Sequence, residues 1–229
     1  MYCLICHEKI IFHHTWDSIF RPLARICEAC SNELQPIGII FCLNCGRLQK
    51  EQTICNDCLQ WKNTPRFETN LAYNRALFTY NDKMKEIIYR WKYRGDYELV
   101  ELFSPYILKK FSTFYSINKA TLVPIPLSPE RLEERRFNQA EAITNIIQEH
   151  FRLPVVHALT RKSEHAEKQS KRSKKQRIQA KNPFKLTKSL NMPIILVDDI
   201  YTTGTTIHHA AKLFKDAGCP IVYSFTLIR

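Results

Sequence analysis

The sequence predicts an α/β protein, a parallel sheet with helices on both faces, behind a small N-terminal module built on paired cysteines. Three observations predict it. From residue 121 to residue 229, short apolar runs alternate with amphipathic stretches. The run at 193–197, PIILV, is apolar on both faces, as a strand buried inside a parallel sheet must be. Eight of the nine cysteines fall before residue 60, in four pairs with two residues between partners.

A chain of 229 residues has room for one ordinary domain and a small module. We divide it at 1–64 and 65–229, with Asn63-Thr64-Pro65 as the linker. An apolar fraction of 45% supports a real core. No run of 18 apolar residues occurs, so no membrane insertion is expected. Cys3 and Cys6 follow Met1 with no apolar run, so no signal peptide is read and a cytoplasmic location, with reduced thiols, is expected. The net charge of +12 is uneven. Residues 1–64 hold six basic and six acidic side chains, whereas residues 65–229 hold 28 and 16. A basic larger part points to a polyanionic partner, a phosphorylated metabolite or a nucleic acid.

The pairs are Cys3/Cys6, Cys27/Cys30, Cys42/Cys45 and Cys55/Cys58. The spacing lets one tight turn aim two thiolates at one ion, and two turns complete the four-sulfur shell that zinc prefers. Gly46 suits such a turn. Sequential pairing closes the shortest loops. It gives one zinc on Cys3, Cys6, Cys27 and Cys30 and another on Cys42, Cys45, Cys55 and Cys58; a crossed arrangement, first pair with third, stays open. Both sites are closed shells and read as structural. So small a segment cannot bury enough apolar surface to fold alone, so the metal would supply its folding energy. Cys219 reads as a core residue.

Further along, FETNLAYNRALFTYN (67–81) has β-rich composition with turn residues and is expected to form a short hairpin. DKMKEIIYRWKY (82–93) has helical periodicity, with Met84, Ile87, Ile88 and Trp91 on one face. A second helix is expected from Glu98 to Phe114. TLVPI (121–125) is a buried strand, and Ser128 with Pro129 opens a helical turn. NQAEAITNIIQEHF (138–151) is an amphipathic helix, and PVVHAL (154–159) a strand. Residues 160–185 hold ten basic and two acidic side chains without apolar periodicity and read either as a mobile functional loop or as a solvated charged surface. TIHHAAKLFKDAG (206–218) is a helix ended by Gly218, and PIVYSFTLI (220–228) is the last strand.

The stretch VDDIYTTGTT, 197–206, stands where a parallel strand ends, and ligands of open parallel sheets bind at that end. Two adjacent carboxylates, Asp198 and Asp199, repel each other unless hydroxyls or a cation face them. The following Thr202, Thr203, Gly204, Thr205 and Thr206 run into a helix start, where free N–H groups favour an anion. A single helix cap needs one such residue, and this stretch holds six within nine. A ribose 5-phosphate fits, with its diol on the carboxylates and its phosphate in the threonine cradle.

The same stretch resembles the phosphoribosyl-pyrophosphate (PRPP) motif of type I phosphoribosyltransferases. With the cysteine module, YRWKYRGDYEL (89–99) and VPIPLSPERLEERRFNQA (123–140), the chain resembles the ComF family along nearly its whole length. The resemblance implies the type I phosphoribosyltransferase fold with a zinc-ribbon module, and a role in natural transformation. There single-stranded DNA is handled beside a helicase-like competence ATPase. It implies that Asp198 and Asp199 are catalytic and hold the ribose hydroxyls. Thr202 to Thr206 would hold the 5-phosphate. VPIPLS would be the pyrophosphate loop, with Arg131, Arg135 and Arg136 close behind. Arg161, Lys162, Gln169 and Arg177 would lie on a flexible loop closing over pyrophosphate. Lys92 matches a family lysine without an assigned role. Arg136 stands where the family usually has glycine, and Ala180 where it has asparagine.

The implied chemistry is displacement at the anomeric carbon of PRPP through an oxocarbenium-like state, with Mg²⁺ offsetting the charge of the leaving pyrophosphate. The sequence shows no general base for an acceptor. Two functions follow: a Mg²⁺-dependent phosphoribosyltransferase of unnamed acceptor, or a DNA-binding competence factor whose pocket is a sensor or relic. Tyr89, Trp91 and Tyr93 among basic residues suit single-stranded nucleic acid, although Trp91 falls on the apolar stripe of its helix. A third reading makes the charge-neutral cysteine module a docking face for the ATPase.

Overall fold

The computed structural model describes residues 1–10, 25–115, 120–162 and 181–229. Four parallel strands form the sheet in the order β1-β6-β5-β2. They are β1 (Asn74–Phe78), β2 (Thr121–Pro124), β5 (Ile194–Ile200) and β6 (Val222–Ile228). The helices are α1 (Glu28–Glu33), α2 (Asn56–Lys62), α3 (Asp82–Tyr93), α4 (Val100–Phe114), α5 (Pro129–Arg135), α6 (Gln139–Phe151) and α7 (Thr205–Asp216). None of the described helices is long and apolar enough to cross a membrane.

Strand alternation divides the core into two layers. Ile195 and Val197 of β5 join Phe225, Ile143 and Ile147 on the side of α3, α4 and α6. Ile194 and Leu196 join Val123, Ile207, Ala210 and Phe214 on the side of α7. Both faces are thus apolar, which is why β5 reads as a continuous greasy run. The core stripe of α3 is the expected one: Met84, Ile87 and Trp91 are fully buried. Asn81 caps that helix by accepting from the Met84 N–H at 2.9 Å. Cys219 is buried, as expected.

Three expectations are corrected. Residues 67–81 form no hairpin: β1 pairs in parallel with β6, Asn74 opposite Ser224 and Phe78 opposite Ile228. The partner lies about 150 residues away, so local composition carried no sign of it. Residues 154–159 are not a strand. Val155 makes a single parallel bridge to Leu122, and Pro154 has no N–H to extend a ladder. The ends of the basic stretch are not irregular, because β3 (Leu159–Arg161) and β4 (Phe184–Leu186) pair antiparallel. Residues 163–180, with Gln169, Arg177 and Ala180, lie outside the described residues.

The cysteine module packs on both layers. Cys3, Ile5, Cys30 and Leu34 join the layer of α3 and α4. Cys42, Cys45 and Cys58 join the layer of α7. Arg90 of α3 donates to the carbonyls of Ile5 at 2.7 Å and Leu4 at 3.1 Å, clamping the first knuckle. Asn74 of β1 holds the second knuckle, its Nδ2 donating to the Cys45 carbonyl at 3.0 Å. The same side chain accepts from Ser224 Oγ at 2.8 Å and donates to Thr226 Oγ1 at 3.2 Å, so the buried polar atoms are satisfied.

Arg136, where the resemblance implies a glycine, ends α5 with φ at 69°. That left-handed conformation strains any residue with a Cβ. Arg136→Gly is expected to stabilise the fold by about 1 kcal/mol, read as a higher urea midpoint. No gain in midpoint would mean that the exposed arginine makes a compensating contact.

Candidate functional site

Each cysteine knuckle is a tight turn repeated twice. The N–H of His7 donates to the Cys3 carbonyl at 2.9 Å, and that of Gly46 to the Cys42 carbonyl at 3.0 Å. Both residues have positive φ, 62° and 74°. This is the conformation Gly46 was read to supply, and His7 adopts it in the first knuckle. The second pair of each cluster opens a helix: Cys27 precedes α1 and Cys55 precedes α2.

The structure groups Cys3, Cys6, Cys27 and Cys30 together, and Cys42, Cys45, Cys55 and Cys58 together, with all Sγ atoms of a group within 4.8 Å of one another. The close Sγ–Sγ distances are 3.7 Å for Cys6 to Cys27 and 3.8 Å for Cys42 to Cys58 and Cys45 to Cys55. A tetrahedron with metal–sulfur bonds of about 2.3 Å has edges of about 3.8 Å. The donors therefore fit one tetrahedral ion per cluster, in sequential pairing. All nine cysteines are free thiols, and a disulfide framework is not formed.

The second site is built where β5 ends. Consecutive residues of a strand face opposite ways, so the two aspartates are not equivalent. Asp199 lies on the α3 side, is 8% exposed, and forms an ion pair with Lys92 of α3. Burial works against its charge, but Lys92 and Arg135 outweigh burial and hold the carboxyl below its usual range. Asp198 is half-buried, and its Oδ1 accepts the Asp199 N–H at 2.9 Å. Burial and the charge of Asp199 push its carboxyl up to about 8. The pair thus contains one committed carboxylate and one that is short of positive partners.

Lys92 is the residue whose role the sequence left blank. No spacing rule links it to Asp199, 107 positions away (199 − 92). Arg135 is also buried. Its Nη1 donates to Gln139 Oε1 at 3.2 Å, and its guanidinium lies 5.5 Å from the Tyr93 ring centre.

Beyond Asp199 the chain turns through Tyr201, Thr202, Thr203 and Gly204 into α7. The Tyr201 side chain is buried under the loop, its Oη 3.1 Å from His208 Nε2. Burial pushes His208 down to about 3, so this histidine is neutral. Gly204 has φ at 84°, and a Cβ there would lie 2.6 Å from Tyr201 Cζ, so only glycine fits. Thr203 Oγ1 and Thr205 Oγ1 are 2.8 Å apart. Among the described residues, the N–H groups of Thr202 to Thr206 donate to no carbonyl, as expected of a helix start awaiting an acceptor.

Parallel register brings the β2 loop alongside. Pro124 pairs with Val197, and the Ile125 N–H donates to the Val197 carbonyl at 2.9 Å. The stretch Ile125 to Ser128 therefore leaves the sheet beside the aspartates. Behind it, Arg131 is half-buried on α5 and Arg136 is exposed. Arg161 and Lys162 belong to the β3–β4 ribbon instead. Arg161 lies over the Phe184 ring at 5.5 Å, and the Lys162 N–H donates to the Pro183 carbonyl at 2.9 Å.

A phosphoribosyl transferase domain family matches residues 140–229, which include β5, the threonine loop and α7. The Competence protein ComFC of Bacillus subtilis (strain 168) is 40% identical over 99% of this chain and 94% of its own length. The Competence protein ComFC of Streptococcus pneumoniae (strain ATCC BAA-255 / R6) is 33% identical over 100% of both chains. Competence protein F of Haemophilus influenzae (strain ATCC 51907 / DSM 11121 / KW20 / Rd) is 25% identical over 89% of this chain and 90% of its own. With two four-cysteine clusters at one end, a parallel sheet ending in the acid–threonine motif at the other, and 40% identity along nearly the whole chain, this protein belongs to the ComF family.

Proposed function

We propose that the chain is a competence-related, PRPP-binding phosphoribosyltransferase-like protein that acts in natural transformation. One observation carries the reading. A partner-poor carboxylate, Asp198, stands near the end of a central parallel strand, and four residues on begins a run of five, Thr202 to Thr206, whose N–H groups find no carbonyl acceptor among the described residues. Acceptors for a diol and donors for a phosphate stand in chain order, as a ribose 5-phosphate needs them.

In this reading Asp198 accepts hydrogen bonds from the ribose hydroxyls. Lys92 keeps Asp199 charged and in place, so the two carboxylates do not both repel an anionic substrate. Thr202, Thr203, Gly204, Thr205 and Thr206 hold the 5-phosphate. The Ile125–Ser128 stretch, with Arg131, Arg135 and Arg136, faces the pyrophosphate, Arg161 and Lys162 approach it from the ribbon, and the resemblance adds Arg177, which lies outside the described residues. Asp198, the carboxylate short of cations, would offer Mg²⁺ a hard oxygen donor beside Asp199, and bound Mg²⁺ would supply charge neutralisation for the leaving pyrophosphate. The cysteine clusters take zinc as structural ions, residues 1–64 form the metal module, and 65–229 the phosphoribosyltransferase-like domain. Free thiols throughout suit a cytoplasmic location.

PRPP with Mg²⁺ is expected to raise the melting temperature, and Asp198→Asn to remove that shift. No shift in the intact protein would end this reading.

A second activity has its own observation. Trp91, one of three aromatics considered for nucleic acid, is fully buried and belongs to the core. Tyr89 and Tyr93 are exposed at 55% and 49%, with ring centres 5.3 Å apart. With Arg135 over Tyr93 they offer a stacking face for single-stranded DNA, and the resemblance adds a helicase-like ATPase as partner. Affinity for a poly-dT oligonucleotide should fall steeply with salt, and Tyr89→Ala with Tyr93→Ala should cost ~1–3 kcal/mol per base lost. Salt-insensitive binding, or none, would remove this arm.

A further inference from the structure

The loop between β5 and α7 is held from beneath by the second cysteine cluster. Trp61 lies in the last turn of α2, the helix that Cys55 precedes, and is 2% exposed. Its ring stacks on His208 with centroids 4.1 Å apart, and its Nε1 donates to the Thr203 carbonyl at 2.8 Å. Arg229 holds the loop as well. Its Nη1 donates to the Thr202 carbonyl at 2.7 Å and the Tyr201 carbonyl at 3.3 Å. The Arg229 side chain is 5% exposed and lies 3.7 Å from Asp57, which sits between Cys55 and Cys58.

Three consecutive loop carbonyls are thus tied toward the cluster. A trans peptide plane points its C=O and its N–H in opposite directions. Fixing the carbonyls of Tyr201, Thr202 and Thr203 inward therefore turns the N–H groups of Thr202, Thr203 and Gly204 outward, toward the ligand side. Trp61 and Arg229 are placed in turn by residues that a tetrahedral ion would fix, since Cys55 and Cys58 flank the start of α2, which carries both Trp61 and the Asp57 beside the guanidinium.

We propose that Trp61 and Arg229 are positioning residues for the phosphate-binding loop, and that metal in the second cluster and phosphate in the loop stabilise each other's binding. The inference rests on the PRPP reading and adds to it the residues that aim the loop. It also turns a structural ion into a thermodynamic partner of the substrate. Coupling between two binding sites is reciprocal. PRPP must therefore hold the metal of the second cluster as firmly as that metal helps to hold PRPP.

The test uses the full-length, zinc-loaded protein. PRPP affinity with Mg²⁺ is measured by calorimetry in wild type, Trp61→Phe and Arg229→Gln, alongside zinc content and melting temperature. Trp61→Phe keeps an aromatic ring but loses the N–H and half of the indole, so the melting temperature, read alongside, separates the lost packing from the lost hydrogen bond. Each variant is expected to bind PRPP about tenfold more weakly, as loss of one charge-assisted or buried hydrogen bond implies, while retaining its zinc. Arg229→Lys is expected to recover part of the loss. Zinc release to a chelator should slow for one ion of the two when PRPP is added to wild type, and this difference should vanish in Arg229→Gln. Unaltered PRPP affinity in both variants, or PRPP-independent zinc release in wild type, would overturn the inference alone. Wild type that binds no PRPP would overturn the proposed function and the inference with it.

Discussion

Removing metal with a strong chelator is expected to release two zinc ions per chain and to collapse the whole fold, not only its first 64 residues. Structural zinc contributes apparent binding energies of roughly 10–16 kcal/mol, comparable to or above the entire stability of an ordinary domain at about 5–15 kcal/mol. Cys3, Cys30, Cys42, Cys45 and Cys58 are all buried, and without an ion they become close-packed thiols competing for charge. Because these cysteines belong to the two apolar layers that cover the sheet, their loss opens both layers. The melting temperature should drop by more than ~20 °C, at about 2–4 °C per kcal/mol for a chain of this size. Calorimetry before and after chelation, with colorimetric zinc counting, checks it. One ion per chain, or an unchanged transition, would refute the two-cluster assignment.

Asp198→Asn is expected to stabilise the ligand-free protein at pH 8 while abolishing PRPP binding. The sign follows from the direction of the shift. The folded-state pKa, about 8, lies above the unfolded value of about 3.9. Folding then favours the protonated form, so this group's contribution is most favourable below pH 4. It is lost progressively as pH rises from there toward 8. Asparagine copies the neutral acid and removes the cost. A gain of ~2 kcal/mol, roughly 4–8 °C, is the expected scale at pH 8, shrinking to nothing near pH 4. Lys92→Met should do the reverse and destabilise by ~3 kcal/mol, because it leaves Asp199 buried without its counter-ion. The double change Lys92→Met with Asp199→Asn should restore most of that loss. A destabilised Asp198→Asn variant at pH 8 would show that the carboxylate already has a cationic partner.

The elements that carried periodic signals were legible in the sequence. The stripe of α3, the cap and proline of α5 and the greasy run of β5 each needed only neighbours three, four or two positions away. The cysteine pairing was legible because loop closure favours near partners. What escaped was set by distance along the chain. β1 reads as half of a hairpin because its sequence cannot announce a partner at the opposite end of the protein. At the candidate site, the threonine loop could be read because anion-binding donors sit in consecutive positions. The inequality of Asp198 and Asp199 was within reach, since strand alternation sends neighbours to opposite faces. The supports were not within reach: Lys92, Trp61 and Arg229 meet the motif only through the fold.

The twin anchors of the cysteine knuckles, Arg90 on α3 and Asn74 on β1, make dissection of this protein a poor strategy. Removing residues 1–64 would strip the partners from the Arg90 guanidinium and the fully buried Asn74 amide, and bare the greasy sides of the strands and helices beneath. Such fragments should be sticky and hard to keep in solution. A biochemist seeking separate halves to assign separate jobs would learn more from point changes in the intact chain.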